Sequence, residues 1–149
     1  MKKLSILALM GILLLSACGA GETIETHDAW ARPAMAGENS AVYLLLHNHT
    51  AEADKLLSAA SDVAASVELH ESRMMEGTDM MEMVPQESIP LPADGEVELK
   101  PGGLHIMLVG LTRDLKVGDE FKVTLTFQSG LQLELTVPVL DNAQGMNHP

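Results

Sequence analysis

Phe121-Lys-Val-Thr-Leu-Thr-Phe-Gln-Ser-Gly-Leu-Gln-Leu-Glu-Leu-Thr-Val137 is the plainest alternation in the chain. Phe121, Val123, Leu125 and Phe127 interleave with Lys122, Thr124 and Thr126, and after a Ser129-Gly130 turn Leu131, Leu133, Leu135 and Val137 interleave with Gln132, Glu134 and Thr136. Successive side chains on a strand point to opposite faces, so this pattern is a hairpin with one face buried and the other in water. Shorter runs of the same kind lie upstream. Val67 and Leu69 face inward while His70 faces outward, Glu96 to Lys100 alternates again, and Leu104, Ile106 and Leu108 share the inner face of a strand entered through Pro101-Gly-Gly103. Asp28 to Pro33 and Ala41 to His47 read as two early strands separated by a turn at Gly37-Glu-Asn-Ser40. Ala51 to Asp62 has helical propensity, but Leu56-Leu57 followed by Ala59-Ala60-Ser61 also fits a strand and turn. Pro85 to Gly95, with prolines at 85, 90 and 92, reads as a connecting segment. Many short strands punctuated by turn signals give an all-β sandwich or open barrel, and 149 residues is one domain's worth of chain.

Between these strands lies a segment too polar for a core and too rich in methionine for an ordinary loop. Met74, Met75, Met80, Met81 and Met83 sit among Glu71, Arg73, Glu76, Asp79 and Glu82. Methionine usually fills gaps in cores, which such neighbours make a poor explanation here. A tight turn centred on Glu76-Gly77 predicts that His70 faces Met83 directly, at about 4.5–5.5 Å between Cβ atoms. Met81 shares the face of Met83, and a slip of two residues leaves that sidedness unchanged. His105 and Met107 point to one side of their own strand. Two imidazoles and two thioethers that converge suit a soft cation. Thioether ligands select Cu(I), structural zinc sites are built from Cys, His and carboxylate, and a blue-copper centre needs a thiolate. The single cysteine, Cys18, has another use.

That use is at the N-terminus. Lys2-Lys3 precede an apolar run from Leu4 to Leu15, too short to span a bilayer, which ends in Leu15-Ser16-Ala17-Cys18-Gly19. The run resembles a lipoprotein signal peptide of residues 1–17, with Cys18 lipidated as the new N-terminus and residues 18–26 a linker to a domain at 27–140. Several buried acyl chains, at about 0.8 kcal/mol per CH₂, make a firm anchor. The membrane is therefore met by lipid alone. Formal charge is −12 for the whole chain and −14 without Lys2 and Lys3, which excludes nucleic acid as a partner, since phosphate binding needs a basic surface. Gly-x-Ser-x-Gly and His-Glu-x-x-His motifs are absent, so little points to an enzyme. His47 and His49 read as surface histidines at a strand end. The tail at 141–149, with Met146 and His148, reads as a polar, frayed end in which a second weak copper site is a thin case.

The spacing is similar to that of the PCuAC family of periplasmic copper chaperones: His, ten residues, Met, twenty-one residues, then His-x-Met. Pro90-Leu-Pro-Ala-Asp-Gly95, Val97-Glu-Leu-Lys-Pro-Gly-Gly-Leu-His-Ile-Met-Leu108 and Gly110-Leu111 match the family's framing. One departure concerns the first methionine. Met81 satisfies the gap after His70, whereas Met83 satisfies the gap before His105, so the hairpin carries two extra residues. Met83 is favoured, with Met81 as the alternative, because a turn tip absorbs insertions better than paired strands do. The resemblance implies a cupredoxin-like Greek-key β-sandwich with Trp30 and Tyr43 in its framework, and Cu(I) held by His70, Met83, His105 and Met107. It implies delivery to a copper-accepting protein of oxidase assembly, toward the CuA centre of cytochrome c oxidase. The setting implied is the bacterial periplasm, with the outer membrane favoured for the anchor. The rival reading is an envelope interaction lipoprotein whose Met-rich hairpin is a docking patch.

Overall fold

The computed structural model describes residues 23–141. The expected signal peptide, Cys18 and the tail bearing Met146 and His148 lie outside the described residues. Within them are ten strands and no helix: β1 (Ile24–Ala31), β2 (Ser40–Asn48), β3 (Asp54–Ala60), β4 (Ala64–Met74), β5 (Met81–Pro85), β6 (Ile89–Leu91), β7 (Gly95–Leu99), β8 (Leu104–Leu111), β9 (Glu120–Phe127) and β10 (Gln132–Pro138). They form two antiparallel sheets. One runs β1-β2-β8-β4-β5, with β7 also paired to β2, and the other runs β10-β9-β3-β6. The alternation that opens the sequence reading becomes β9 and β10, with Leu133 opposite Leu125, Leu135 opposite Val123 and Val137 opposite Phe121. Phe121, Val123, Leu125 and Phe127 are all buried. They meet Val42, Leu44, Leu46, Leu69, Ile106 and Leu108 of the larger sheet across one continuous core. Each such side chain contributes about 1.5–3 kcal/mol by leaving water.

Two segments differ from the sequence expectation, and a third settles the choice between helix and strand left open at 51–62. Strand β1 begins at Ile24, inside the expected linker, and carries an irregularity between His27 and Trp30 where Asp28 takes a φ of 51°. The extra residue reverses the parity of the side chains, which puts His27 and Trp30 on the same face and hides the strand from an alternation count. Residues 54–60 are strand β3, so the helical propensity around them is overridden by pairing to β9 and β6. The expected connector at 85–95 holds β6, whose Pro90 is tolerated because this is the edge of the smaller sheet.

Trp30 and Tyr43 are buried, but on the face of β2 away from the inter-sheet core. With Ala41 they form a separate small cluster, their rings 4.8 Å apart at the centroids. On β2 the core face is Val42, Leu44 and Leu46, so Ala41, Tyr43, Leu45 and His47 share the outer face. That outer face is where the chemistry lies.

Candidate metal centre

His70 and His105 oppose each other directly across β4 and β8, and Glu68 opposes Met107 one step further along the same face. Their imidazole centroids are 5.9 Å apart. Strand β8 is placed by the Lys100–Gly103 turn, closed by hydrogen bonds from Lys100 N to Leu104 O and from Gly103 N to Lys100 O. Its other edge pairs with β2, setting Met107 opposite Ala41. Tyr43 then lies beside His105, ring centroids 6.3 Å apart.

The hairpin register corrects the sequence expectation. Strands β4 and β5 pair from His70 opposite Pro85 out to Met74 opposite Met81, so Met83 faces Ser72 and not His70. The turn is not a two-residue Glu76-Gly77 reversal. It is a loop over 75–80 held by Met75 N to Met80 O and Thr78 N to Met75 O, with Gly77 at φ 79°. The slip is two residues, so sidedness survives. Met83 is a diagonal neighbour of His70 on the same face, within reach of a long side chain. Met81 lies two residues nearer the tip. One groove of about 550 Å³ is lined by Met83, His105 and Met107 together with Arg32, Ser40 and Ala41. Neither Met81 nor His70 lines it.

The four residues differ sharply in exposure. His105 is 3% exposed and Met107 9%, whereas Met83 is 51% and Met81 53% exposed. One wall is sunk under the Trp30–Tyr43 cluster, and the other is the edge strand β5.

The imidazole tautomers follow from their partners. Glu68 Oε2 lies 2.8 Å from His70 Nε2, and Gly103 O lies 3.0 Å from His105 Nδ1. A carboxylate and a carbonyl can only accept, so those nitrogens carry the protons, and neutral rings present lone pairs at His70 Nδ1 and His105 Nε2. Those two atoms are buried and have no hydrogen-bond partner. Leaving a buried acceptor unsatisfied costs about 1–3 kcal/mol, a penalty that a cation bridging the two nitrogens removes. Burial holds the His105 imidazole below the ordinary histidine range; the hydrogen bond to Gly103 opposes this, and the nearby charges of His70 and Arg32 add to it. The hydrogen bond from His70 is the chief reason the Glu68 carboxyl lies below the usual carboxylate range. A carboxylate on the far nitrogen of a ligand imidazole fixes its tautomer and raises its basicity.

Glu68 and Tyr43 are the residues that sequence reasoning missed in this role. Glu68 had a signal, because it sits two residues before His70 and therefore on the same face. Tyr43 had none, since its approach depends on the pairing of β2 with β8.

Residues 24–139 match the family model described as "Putative lipoprotein LpqE-like". The chain belongs to this family, the PCuAC family. A relative named "Putative lipoprotein Lxx21020", from Leifsonia xyli subsp. xyli, is 32% identical over 118 residues, which span 79% of this chain and 70% of the relative. Among solved structures, the copper-bound PCuAC domain from PmoF2 superposes with a TM-score of 0.66 at 25% identity, over 81% of this chain and 94% of that one. The Cu(I) form of DR1885 from Deinococcus radiodurans gives a TM-score of 0.60 at 31% identity, over 83% and 84%. The fold of the family is therefore the fold of this chain, a cupredoxin-like β-sandwich.

Proposed function

We propose that the protein is a copper chaperone of the bacterial envelope that holds Cu(I) with His70, Met83, His105 and Met107. The observation that carries this reading is the pair of buried, unpartnered imidazole nitrogens on directly opposed residues, beside a groove lined by Met83, His105 and Met107. Two neutral imidazoles and two thioethers form a soft, uncharged set that suits Cu(I) and lacks an oxidisable thiolate. The copper-bound PmoF2 domain and the Cu(I) form of DR1885, both similar to this chain, support the same cargo.

Release follows from the asymmetry of exposure. An acceptor's ligands approach from the side of β5, displace the exposed Met83 first, and take the ion from His105 and Met107 last. A cargo site of this kind does no redox catalysis of its own. The acceptor is a copper-accepting protein of oxidase assembly, with the CuA centre of cytochrome c oxidase as the destination. The chain reaches it from the membrane surface, lipid-anchored through Cys18 in the periplasm, with the outer membrane favoured.

A second reading rests on the exposure of Met74, Met75, Met80 and Met81 around the hairpin tip, which makes that tip a docking patch for the partner. A competition experiment separates the two. Under reducing conditions, purified protein offered both ions should take up one Cu(I) per chain in preference to Zn(II). Protein that keeps zinc, or takes neither, leaves only the docking patch.

A further inference from the structure

Far along the same sheet face, three histidines outside the site just described come together. His27 lies on β1, His47 on β2, and His49 just past the end of β2, and one ring nitrogen from each falls within 4.8 Å of the others. The strands impose this meeting. Glu25 opposes His47 and His27 opposes Leu45, so Glu25, His27 and His47 share the outer face, and His49 is held at the strand end by its N–H donated to Thr23 O at 2.9 Å. The rings of His47 and His49 stack at 3.8 Å. Glu25 Oε2 completes the cluster, 3.5 Å from His27 Nε2 and 3.4 Å from His49 Nε2. On the other side of His47 stands Glu96 of β7, directly opposed.

We infer that His27, His47, His49 and Glu25 form a second metal site, one that takes a divalent borderline cation and, of these, Cu(II) by preference. Three imidazoles and one carboxylate are nitrogen and oxygen donors without a thioether, a set suited to Cu(II) and Zn(II) and not to Cu(I). The Irving–Williams order ranks Cu(II) above Zn(II) on such ligands. At metal–nitrogen distances of about 2.0–2.1 Å, neighbouring ligand nitrogens around the tetragonal ion that Cu(II) prefers stand roughly 2.9 Å apart, so side-chain rotations from the present positions close the shell. His27 and His49 are 45% and 41% exposed at the side chain, which leaves the cluster open to a hydrated ion. The acidic carboxylates of Glu25 and Glu96 on either side of His47 offset the ion's charge. His105 lies beside Tyr43, four residues before His47 on β2, which separates the two sites by about 13 Å along one strand. The protein thus carries distinct places for the two oxidation states of the metal.

The test is Cu(II) titration of the purified full-length protein in detergent under air, read by electron paramagnetic resonance against a weak competing chelator. One equivalent with nitrogen hyperfine structure is expected. Loss of an outer-shell partner already weakens metal sites about ten- to hundred-fold, so His27→Gln, His47→Gln and His49→Gln should each weaken Cu(II) at least that much. Cu(I) uptake under reducing conditions should stay unchanged in the same variants, which keeps the outcome independent of the His70–His105 site. His27 and His49 are exposed and His47 is half-buried; circular dichroism identifies any variant that fails to fold, and exposed His49→Gln serves in its place. Zn(II) should occupy the same side chains and be displaced by equimolar Cu(II). Cu(II) affinity unchanged in all three variants, Cu(II) binding lost instead in His148→Gln, or Zn(II) retained against Cu(II) overturns the assignment.

Discussion

At His105 the burial that hides a lone pair also keeps it available. The folded-state pKa lies below the ordinary value of 6.5, mainly through desolvation, with His70 and Arg32 adding to the shift and the Gly103 carbonyl opposing it. The other groups that face this ring are Tyr43 from β2 and Glu68 through His70. Because the unfolded chain binds the proton more readily, this residue's contribution to stability is complete above about pH 6.5 and is lost as pH falls through the depressed folded value. The metal-free protein should therefore melt at lower temperature at about pH 5 than at about pH 7.5, and His105→Asn should flatten that part of the dependence. A thermal melt series across that range checks it; an unchanged slope in the variant contradicts it. Copper binding through His105 should persist to lower pH than binding to an ordinary imidazole, since fewer protons compete for the nitrogen.

The hairpin of β4 and β5 is the element on which ligand choice turns. Its face was legible from alternation, because a two-residue slip preserves sidedness, but its register was not. Register depends on the turn, and Met75-Glu-Gly-Thr-Asp-Met80 closes as a longer loop than a Glu76-Gly77 turn allows. The same limit hid β6 behind its proline, and the irregularity at Asp28 hid the start of β1. β9 and β10 were legible in full, since nothing interrupts their period. The small cluster of Trp30, Ala41 and Tyr43 was not, because burial on the outer face follows from neighbouring strands and leaves no period in the sequence. In the observed register Met83 lines the groove with His105 and Met107, and Met81 sits nearer the tip, opposite Met74. Met83→Leu should thus lower Cu(I) affinity sharply and Met81→Leu little. Leucine nearly conserves the volume and costs less than about 1.5 kcal/mol in stability, so an affinity loss reports a lost ligand. Competition with a chromophoric Cu(I) chelator measures both. A loss confined to the Met81 variant would reverse the assignment.

For the whole molecule, the sandwich divides its labour between two faces of one sheet. The inner face packs against the smaller sheet and holds the fold, while the outer face carries both histidine clusters. The proposed lipid anchor precedes this body by a short stretch, which keeps the sandwich at the membrane surface without inserting it. Cys18→Ser should leave an unprocessed precursor, and immunoblotting of membrane and soluble fractions checks this; normally processed, soluble protein would contradict the anchor. The central claim, a Cu(I) site of two imidazoles and two thioethers, is tested most directly by copper-edge X-ray absorption of the Cu(I)-loaded protein. The proposed set predicts two nitrogen and two sulfur scatterers, with one sulfur lost in Met83→Leu and one nitrogen in His105→Asn. A first shell of nitrogen and oxygen alone, or a spectrum that neither substitution alters, would contradict it.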